Sequence, residues 1–266
     1  MSDAERARFD ALAERWAEYN REPLGRIRRQ ITWHNLAPHL PAIADAGHPP
    51  RVLDVGGGSG ELALQLLDCG YAVWLLDPAP AMLEQARRAA QGLSAAAASR
   101  LTLCALPAED APRSFAAEYF DAITCHTVIE YLPDPRSTLR ALVALLREGG
   151  LLSLSFVNRH GEVLRRAWTK ADPTAALAAR ECGRFRSVLF DAPGVARTAE
   201  EVSAWLAESG LRVAGVYGVR AFADHVPREK LEDPDFFAAL LRLELAAAGL
   251  PSYNGIARYV QLIAHK

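Results

Sequence analysis

Two carboxylates bracket a run of glycines. Asp54 stands in "VLDVGGGSGE" before Gly56, Gly57, Gly58 and Gly60, and Asp77 ends "LLD" 21 residues after Gly56. Apolar "RVLDV" reads as a buried strand, the glycines as a tight turn that brings backbone close to a ligand, and "YAVWLLD" as the next strand. An acid at the end of that second strand points two acceptors into the crevice beside the turn, the geometry that grips a ribose diol. Two phosphate-binding patterns fail here. Counted from Gly56, the dinucleotide register G-x-G-x-x-G meets Gly58 and then Glu61, so the glycine that packs helix on strand is out of place. The GxxxxGK[ST] pattern fails because no lysine follows the turn. What remains, acid-x-Gly-x-Gly-x-Gly, adds a carboxylate two residues before the turn. It suits a ligand with an ammonium group and no phosphate, and S-adenosylmethionine, an amino acid joined to ribose and adenine, answers that description.

The elements that must hold these acids follow from periodicity. Phe9, Leu12, Ala13, Trp16 and Tyr19 or Asn20 recur at helical spacing over 3–20, and a second apolar helix is expected over 25–40, bounded by "AGHPP". Then strands and helices alternate: "RVLDV", a helix over 60–69, "YAVWLLD", a helix over 80–92, "RLTLCAL", "YFDAITCH", the helix "PRSTLRALVALL" and "GGLLSLSFVN". The alternation lapses around 159–197, an insertion after the fifth strand. It resumes with "TAEEVSAWLAESG", a helix with a threonine cap, a capping-box glutamate and a glycine stop. "LRVAGVYGVRAF", a helix over 233–248 and "YNGIARYVQLIAHK" close the pattern. Such alternation predicts an α/β fold of βαβ units with a parallel, doubly wound, Rossmann-like sheet of seven strands. Its expected divisions are an N-terminal helical cap over 1–48 and a domain over 49–266, with 158–197 as an inserted, helical, substrate-side segment.

The 266 residues are 50% hydrophobic and 23% charged, with a formal net charge of −2, so no whole-molecule positive field advertises nucleic acid. The N-terminal "MSDAERARFD" has no apolar core of a secretory signal, and no window approaches the ~20 apolar residues of a membrane span. Cys69, Cys104, Cys125 and Cys182 form no CxxC pair. They predict neither a disulfide framework nor a metal site and fit a reducing cytoplasm.

The acid–glycine–acid pattern resembles the class I S-adenosylmethionine-dependent methyltransferases over about residues 50–158 plus the closing strands. The resemblance implies that Asp54 and Gly56–Gly58 meet the methionine part of the cofactor and that Asp77 binds both ribose hydroxyls. It places Met82 where that family packs an apolar side chain, although a core role is equally open. Many members carry an Asp-Ala pair after strand three; here Pro107 stands near that place. Adenine is therefore expected on Ala108 and the backbone of Glu109, or Asp110 takes the acid's part. His126, ending strand four, falls beside the cofactor. A closer resemblance, to the bacterial tRNA 5-carboxymethoxyuridine methyltransferases, rests on "RRQITWHNL", "VIEYLPDPRSTL", "FVNRHG", "GVRAFADHV" and "ARYVQLIAH". It implies that Arg28 reaches the cofactor carboxylate, that the acceptor is the carboxylate of the tRNA wobble nucleoside, and that S-adenosylhomocysteine is the other product.

A carboxylate acceptor is already anionic near neutral pH and needs no general base. What it needs is an arginine or tyrosine to position the anion. Arg220, Tyr259 and Asn158 are the expected positioning residues, with Arg258 and Tyr131 as further candidates near strand ends. Between residues 155 and 197, eight cations (Arg159, Arg165, Arg166, Lys170, Arg180, Arg184, Arg186, Arg197) face four acids (Glu162, Asp172, Glu181, Asp191). Trp168, Phe185 and Phe190 are interleaved, a composition suited to phosphate contact and base stacking. The alternatives are a small-molecule methyltransferase acting on a quinone precursor or carboxylic acid, and a non-catalytic binding module or dinucleotide oxidoreductase.

Overall fold

The computed structural model describes residues 3–43 and 48–266, so the expected cap boundary at "AGHPP" lies partly outside the described residues. Helices α1 (Asp3–Ala11), α2 (Ala13–Arg21) and α3 (Pro23–Leu36) precede β1 (Arg51–Val55), α4 (Glu61–Asp68), β2 (Ala72–Leu76) and α5 (Pro80–Ala90). The short α6 (Ala95–Ala98), β3 (Leu101–Cys104), the short α7 (Ala111–Ser114), β4 (Phe120–His126), α8 (Pro135–Leu145) and β5 (Leu146–Val157) come next. The insertion holds α9 (Arg159–Leu164), a π-helical turn over Arg165–Thr169, α10 (Pro173–Cys182) and a hairpin of β6 (Arg184–Arg186) and β7 (Pro193–Val195). After it run α11 (Ala199–Glu208), β8 (Arg212–Val219), α12 (Pro234–Ala247), α13 (Pro251–Asn254) and β9 (Tyr259–His265). Among the described residues no helix is long and apolar enough to cross a membrane.

Local chemistry sets these starts. Asp-Pro steps at 134–135, 172–173 and 233–234 open α8, α10 and α12. Each aspartate accepts from a backbone N–H of the first turn, and each proline sits where an N–H has no partner to lose. The capping box of Thr198 and Glu201 opens α11 as expected. The single helix expected over 3–20 is two helices broken at Leu12, so that α1 lies on α5 while α2 turns onto α3. Asp10 of α1 accepts from Ala81 N–H at 2.6 Å, capping α5, whose own cap position is the alanine Ala79.

The seven strands order as β3-β2-β1-β4-β5-β9-β8. β1 to β5 are parallel, and β9 runs antiparallel to both its neighbours, so the sheet is the expected seven-stranded one and is mostly parallel. The reason is topological. α12 and α13 do not carry the chain back across the sheet, so β9 starts at the edge where β8 and β5 end, pairing Tyr259 with Val219 and Val157. This reversal delivers Arg258 and Tyr259 to the same edge as the glycine turn. Alternation along β1 sends Leu53 and Val55 toward α8 and Val52 toward α4, filling one apolar core on each face. α3 is part of that packing: Ile27 and Ile31 are fully buried against Val219 and the α12 residues Phe237 and Leu240.

The insertion begins and ends at paired residues, Asn158 and Arg197, and is only partly helical because of its hairpin. Another fixture holds the β8 exit. Buried Glu244 of α12 accepts from the N–H groups of Ala221, Phe222 and Ala223 at 2.8, 3.0 and 2.8 Å. Burial pushes this carboxyl above the usual glutamate range against those three donors. Glu244→Ala leaves three donors without an acceptor and is expected to lower unfolding free energy by about 3 kcal/mol in denaturant titration, with Glu244→Gln losing less. An unchanged midpoint for the alanine variant would contradict this role.

Candidate active site

The turn after β1 has the conformation that its glycines permit. Gly56, Gly58 and Gly60 have φ of +64°, +55° and +85°, and a Cβ on Gly56 would lie 2.4 Å from Val128 Cγ2. Gly60, the N-cap of α4, sits against Ala86 and Leu75, so it supplies the close packing that the dinucleotide register assigns elsewhere. The turn is fixed by N–H groups of Gly56 and Gly57 on Leu76 O, at 2.7 and 3.2 Å.

Both acids are buried beneath it. Asp54 accepts from Thr124 Oγ1 at 2.7 Å through Oδ1, while Oδ2 is buried without a hydrogen-bond partner among the described residues. Burial pushes the Asp54 carboxyl up to about 7, against the pull of the Thr124 hydrogen bond. Asp77 accepts from Gly58 N–H at 3.0 Å and Ala79 N–H at 2.9 Å. Burial raises it to about 6, opposed by those two donors. A cavity of about 80 Å³ is lined by Arg28, Asp54, Gly56, Gly57 and His126; a second, of about 90 Å³, by Gly56, Gly58, Asp77, Met82, Ala108, Glu109 and His126. All ten expected cofactor residues therefore border these two spaces. Asp110 instead holds Arg113 at 2.9 Å near the surface. His126 shares a hydrogen bond of 2.8 Å with Ser153, and burial, reinforced by Arg28, pulls its ring down to about 3, so it is neutral near pH 7. Arg28 donates to Asn20 Oδ1 at 3.0 Å and lies over the Trp16 ring at 4.6 Å. The orphaned Asp54 Oδ2, the glycine cradle and the nearby guanidinium fit an α-amino acid group; the Asp77 carboxylate beside an apolar slot fits a nucleoside.

A third and larger cavity, about 340 Å³, opens beside these two. Among the described residues seven cations line it (Arg28, Arg165, Lys170, Arg186, Arg220, Arg228, Arg258) and one carboxylate, Asp224. Trp16 and Thr127 border all three spaces, so they mark the junction. Thr127 is held there at φ +57°, unusual for a β-branched residue, with its N–H on Ser155 O at 2.7 Å. Arg220, also at positive φ (+63°), donates both Nε and Nη2 to Asp224, and Nη1 to Tyr19 Oη at 2.6 Å. Glu162, fully buried, accepts from Arg165 (2.9 and 3.0 Å), Arg166 (2.7 Å) and Arg258. Burial opposes its ionisation, but the three guanidinium groups outweigh that and hold it at about 2. Tyr259 lies 5.5 Å from both Arg220 and Arg258. Burial opposes its ionisation too, yet Arg220, Arg258 and Arg28 together bring its hydroxyl below the usual tyrosine range.

Two sequence expectations are corrected. Asn158 lines none of these three cavities. Its Nδ2 donates to Gly255 O and Ala257 O at 2.9 and 3.0 Å, and its Oδ1 accepts from His160 N–H at 3.2 Å, so it ties the insertion to the β9 approach. Phe185 and Phe190 are buried from solvent but line the large cavity, so of the three insertion aromatics only Trp168 stands at the surface, and Arg184 lies outside that cavity. Tyr131 does line that cavity and the nucleoside-sized one. Sequence reading missed Glu162, Asp224 and Tyr19 as partners of the arginines. The spacings Glu162 to Arg165 and Arg166, and Arg220 to Asp224, are the i,i+3 and i,i+4 pairs that could have indicated two of them.

Comparison with known proteins agrees with this geometry. Residues 53–152 match the family model described as a methyltransferase domain. The chain is 33% identical over 261 residues, 97% of its length and 95% of the relative's, to the tRNA 5-carboxymethoxyuridine methyltransferase of Escherichia coli (strain K12). It is 31% identical over 214 residues, 80% of the chain and 82% of the relative, to a ubiquinone biosynthesis O-methyltransferase of Xanthomonas axonopodis pv. citri. The crystal structure of an S-adenosylmethionine-dependent methyltransferase from Mesorhizobium loti shares the fold, with TM-score 0.60 and 18% identity over 89% of this chain and 98% of that one. The chain belongs to the class I S-adenosylmethionine-dependent methyltransferases.

Proposed function

We propose that the methyl acceptor is a carboxylate, that of 5-carboxymethoxyuridine at the wobble position of tRNA, and that the product is its methyl ester. The observation that carries this reading is the charge of the large cavity, seven cations against Asp224 among the described residues. The similarity to the E. coli enzyme along 97% of the chain supports it. A neutral hydroxyl acceptor, one that an O-methyltransferase such as the second relative could take, calls for a general base. Among the described residues lining the cavity there is no histidine, and the one carboxylate is spent on Arg220.

In this reading Asp54 Oδ2 takes the cofactor's ammonium, Arg28 its carboxylate, and Asp77 the two ribose hydroxyls. Met82, Ala108 and Glu109 border the adenine, with neutral His126 between the two halves. S-adenosylmethionine supplies a methyl group activated on a sulfonium. Arg258 and Arg220, with the Tyr259 hydroxyl, would hold the acceptor carboxylate at the Trp16–Thr127 junction, facing the methyl group that the bound cofactor would supply. Transfer would neutralise the charges of both partners, and positioning of this kind can contribute about 7–11 kcal/mol.

Three outcomes are expected. Labelled S-adenosylmethionine incubated with total tRNA lacking the ester should give one labelled nucleoside whose label mild alkali releases as methanol. No transfer to tRNA by protein that binds the cofactor in calorimetry would sink the reading. Arg258→Ala should raise KM for that tRNA about tenfold or more, since a charge-assisted hydrogen bond is worth about 1.5–3 kcal/mol, with a much smaller change in cofactor affinity. Equal losses on both would move Arg258 out of acceptor binding.

The third concerns pH. Asp54 and Asp77 have folded-state values raised to about 7 and about 6, so below these each carries a proton and loses its charge. Stability contributed by the protonated forms in the free protein declines as pH rises from the ordinary aspartate range through about 6 and 7. Cofactor affinity runs the opposite way. It should climb about tenfold between roughly pH 5.5 and 7.5, and Asp54→Asn should bind weakly and flatten the upper part of that rise. A wild-type affinity independent of pH across this window would refute the ammonium assignment.

A further inference from the structure

Trp168 is 73% exposed, the one tryptophan of the chain that stands in solvent. It lies in the π-helical turn Arg165–Thr169, an irregular winding of the kind that recurs at functional sites. The His225 ring lies 5.7 Å away with the planes 40° apart, and Thr169 Oγ1 holds His225 Nδ1 at 3.2 Å. Thr169 and Lys170 on one side, and Asp224 and Val226 on the other, line the cation-rich cavity, so the Trp168–His225 pair sits at its rim. Lys170 and Arg228, also lining the cavity, are exposed, and among the described residues neither is paired with a carboxylate.

We infer that Trp168 and His225 form a stacking platform for the nucleobase next to the one that enters the cavity, with Lys170 and Arg228 meeting the flanking phosphates. The occupant is a single-stranded RNA loop, and the inference rests on the tRNA reading of the site. Charge complementarity selects this partner. An exposed aromatic face among unpaired cations is what splayed bases on a phosphate backbone require. A protein partner would call for a broader apolar patch than one ring with one histidine. A base held on this platform would set the register of the base inside the cavity.

The test compares an anticodon stem-loop carrying 5-carboxymethoxyuridine with the free nucleoside as acceptors. Trp168→Ala is expected to raise KM for the stem-loop about tenfold, the size of one lost base–aromatic stack, with little change in kcat. That loss should exceed the loss on the nucleoside by a similar factor, and Trp168→Phe, which keeps a ring, should recover most of it. Lys170→Ala with Arg228→Ala should flatten the salt dependence of stem-loop affinity measured by fluorescence anisotropy. Equal losses on the two acceptors, or no loss on the stem-loop, would overturn the platform while leaving the tRNA reading intact. So would unchanged RNA affinity of Trp168→Ala together with loss of self-association in sedimentation, which would make the face a protein contact. Wild-type protein that methylates no RNA would overturn the reading of the acceptor and the platform with it.

Discussion

A guanidinium group can leave water only where a carboxylate or an aligned dipole offsets its lost hydration, and the acceptor side of this molecule is arranged around two such offsets. Asp224 holds Arg220, while Glu162 alone holds Arg165, Arg166 and Arg258. One carboxylate cannot neutralise three guanidinium groups, so surplus positive charge is fixed where the large cavity opens. Glu162 is ionised down to about 2, and the arrangement therefore persists through ordinary pH. In the proposed transfer the donors are in place before the anion arrives, and little reorganisation would be left for the moment of reaction. Asp224, at the β8 exit, depends in turn on Glu244, which fixes three successive N–H groups just before it.

The cofactor side has the opposite charge pattern. Asp54 and Asp77 are buried where ionisation is resisted, and both values lie near neutrality. In the proposed reading a cationic ligand would relieve that resistance at Asp54, whose Oδ2 has no partner among the described residues. The two acids lie beneath the glycine turn with Arg28 beside Asp54, the other cations of the large cavity lie beyond it, and Trp16 and Thr127 border both sides. In the proposed transfer the sulfonium and the carboxylate meet at this divide. The antiparallel β9 is the topological condition for it, since a parallel last strand would leave Arg258 and Tyr259 at the far edge of the sheet.

What sequence alone made legible divides along the same line. The cofactor half is local: Asp54, the glycines and Asp77 belong to one strand–turn–helix–strand unit, and their geometry follows from period and spacing. The acceptor half is assembled from residues far apart in the chain, such as Tyr19 with Arg220 and Glu162 with Arg258, so no spacing announces it. Asn158 illustrates the difficulty. Its place at the end of β5 was readable, but whether its amide faced the cavity or the backbone of the β9 approach depended on strand reversal. Phe185 and Phe190 show a related limit: a hairpin inside the insertion turns them inward, against Val157 and the Met82 cluster and onto the large cavity, where a helix could have left them at the surface.

The N-terminal helices also carry a mechanical consequence. Pro23 and Gly25 look in sequence like a hinge that would let a cap swing, yet a Cβ on Gly25 would lie 2.1 Å from Tyr19 O. That glycine locks α2 against α3, and α3 is itself buried through Ile27 and Ile31. What covers the cofactor cleft is instead an aromatic cluster. Phe9 and Trp16 meet Phe190 at 4.9 and 5.2 Å, and Tyr131 meets Phe9 at 5.5 Å. The two sides of this cluster come from α1–α2 and from the insertion hairpin, elements joined by no common helix. Opening the cleft therefore parts an aromatic contact and does not bend a hinge. Because Trp16 borders the cofactor spaces and the cation-lined cavity alike, a displacement of that one ring would alter both at once.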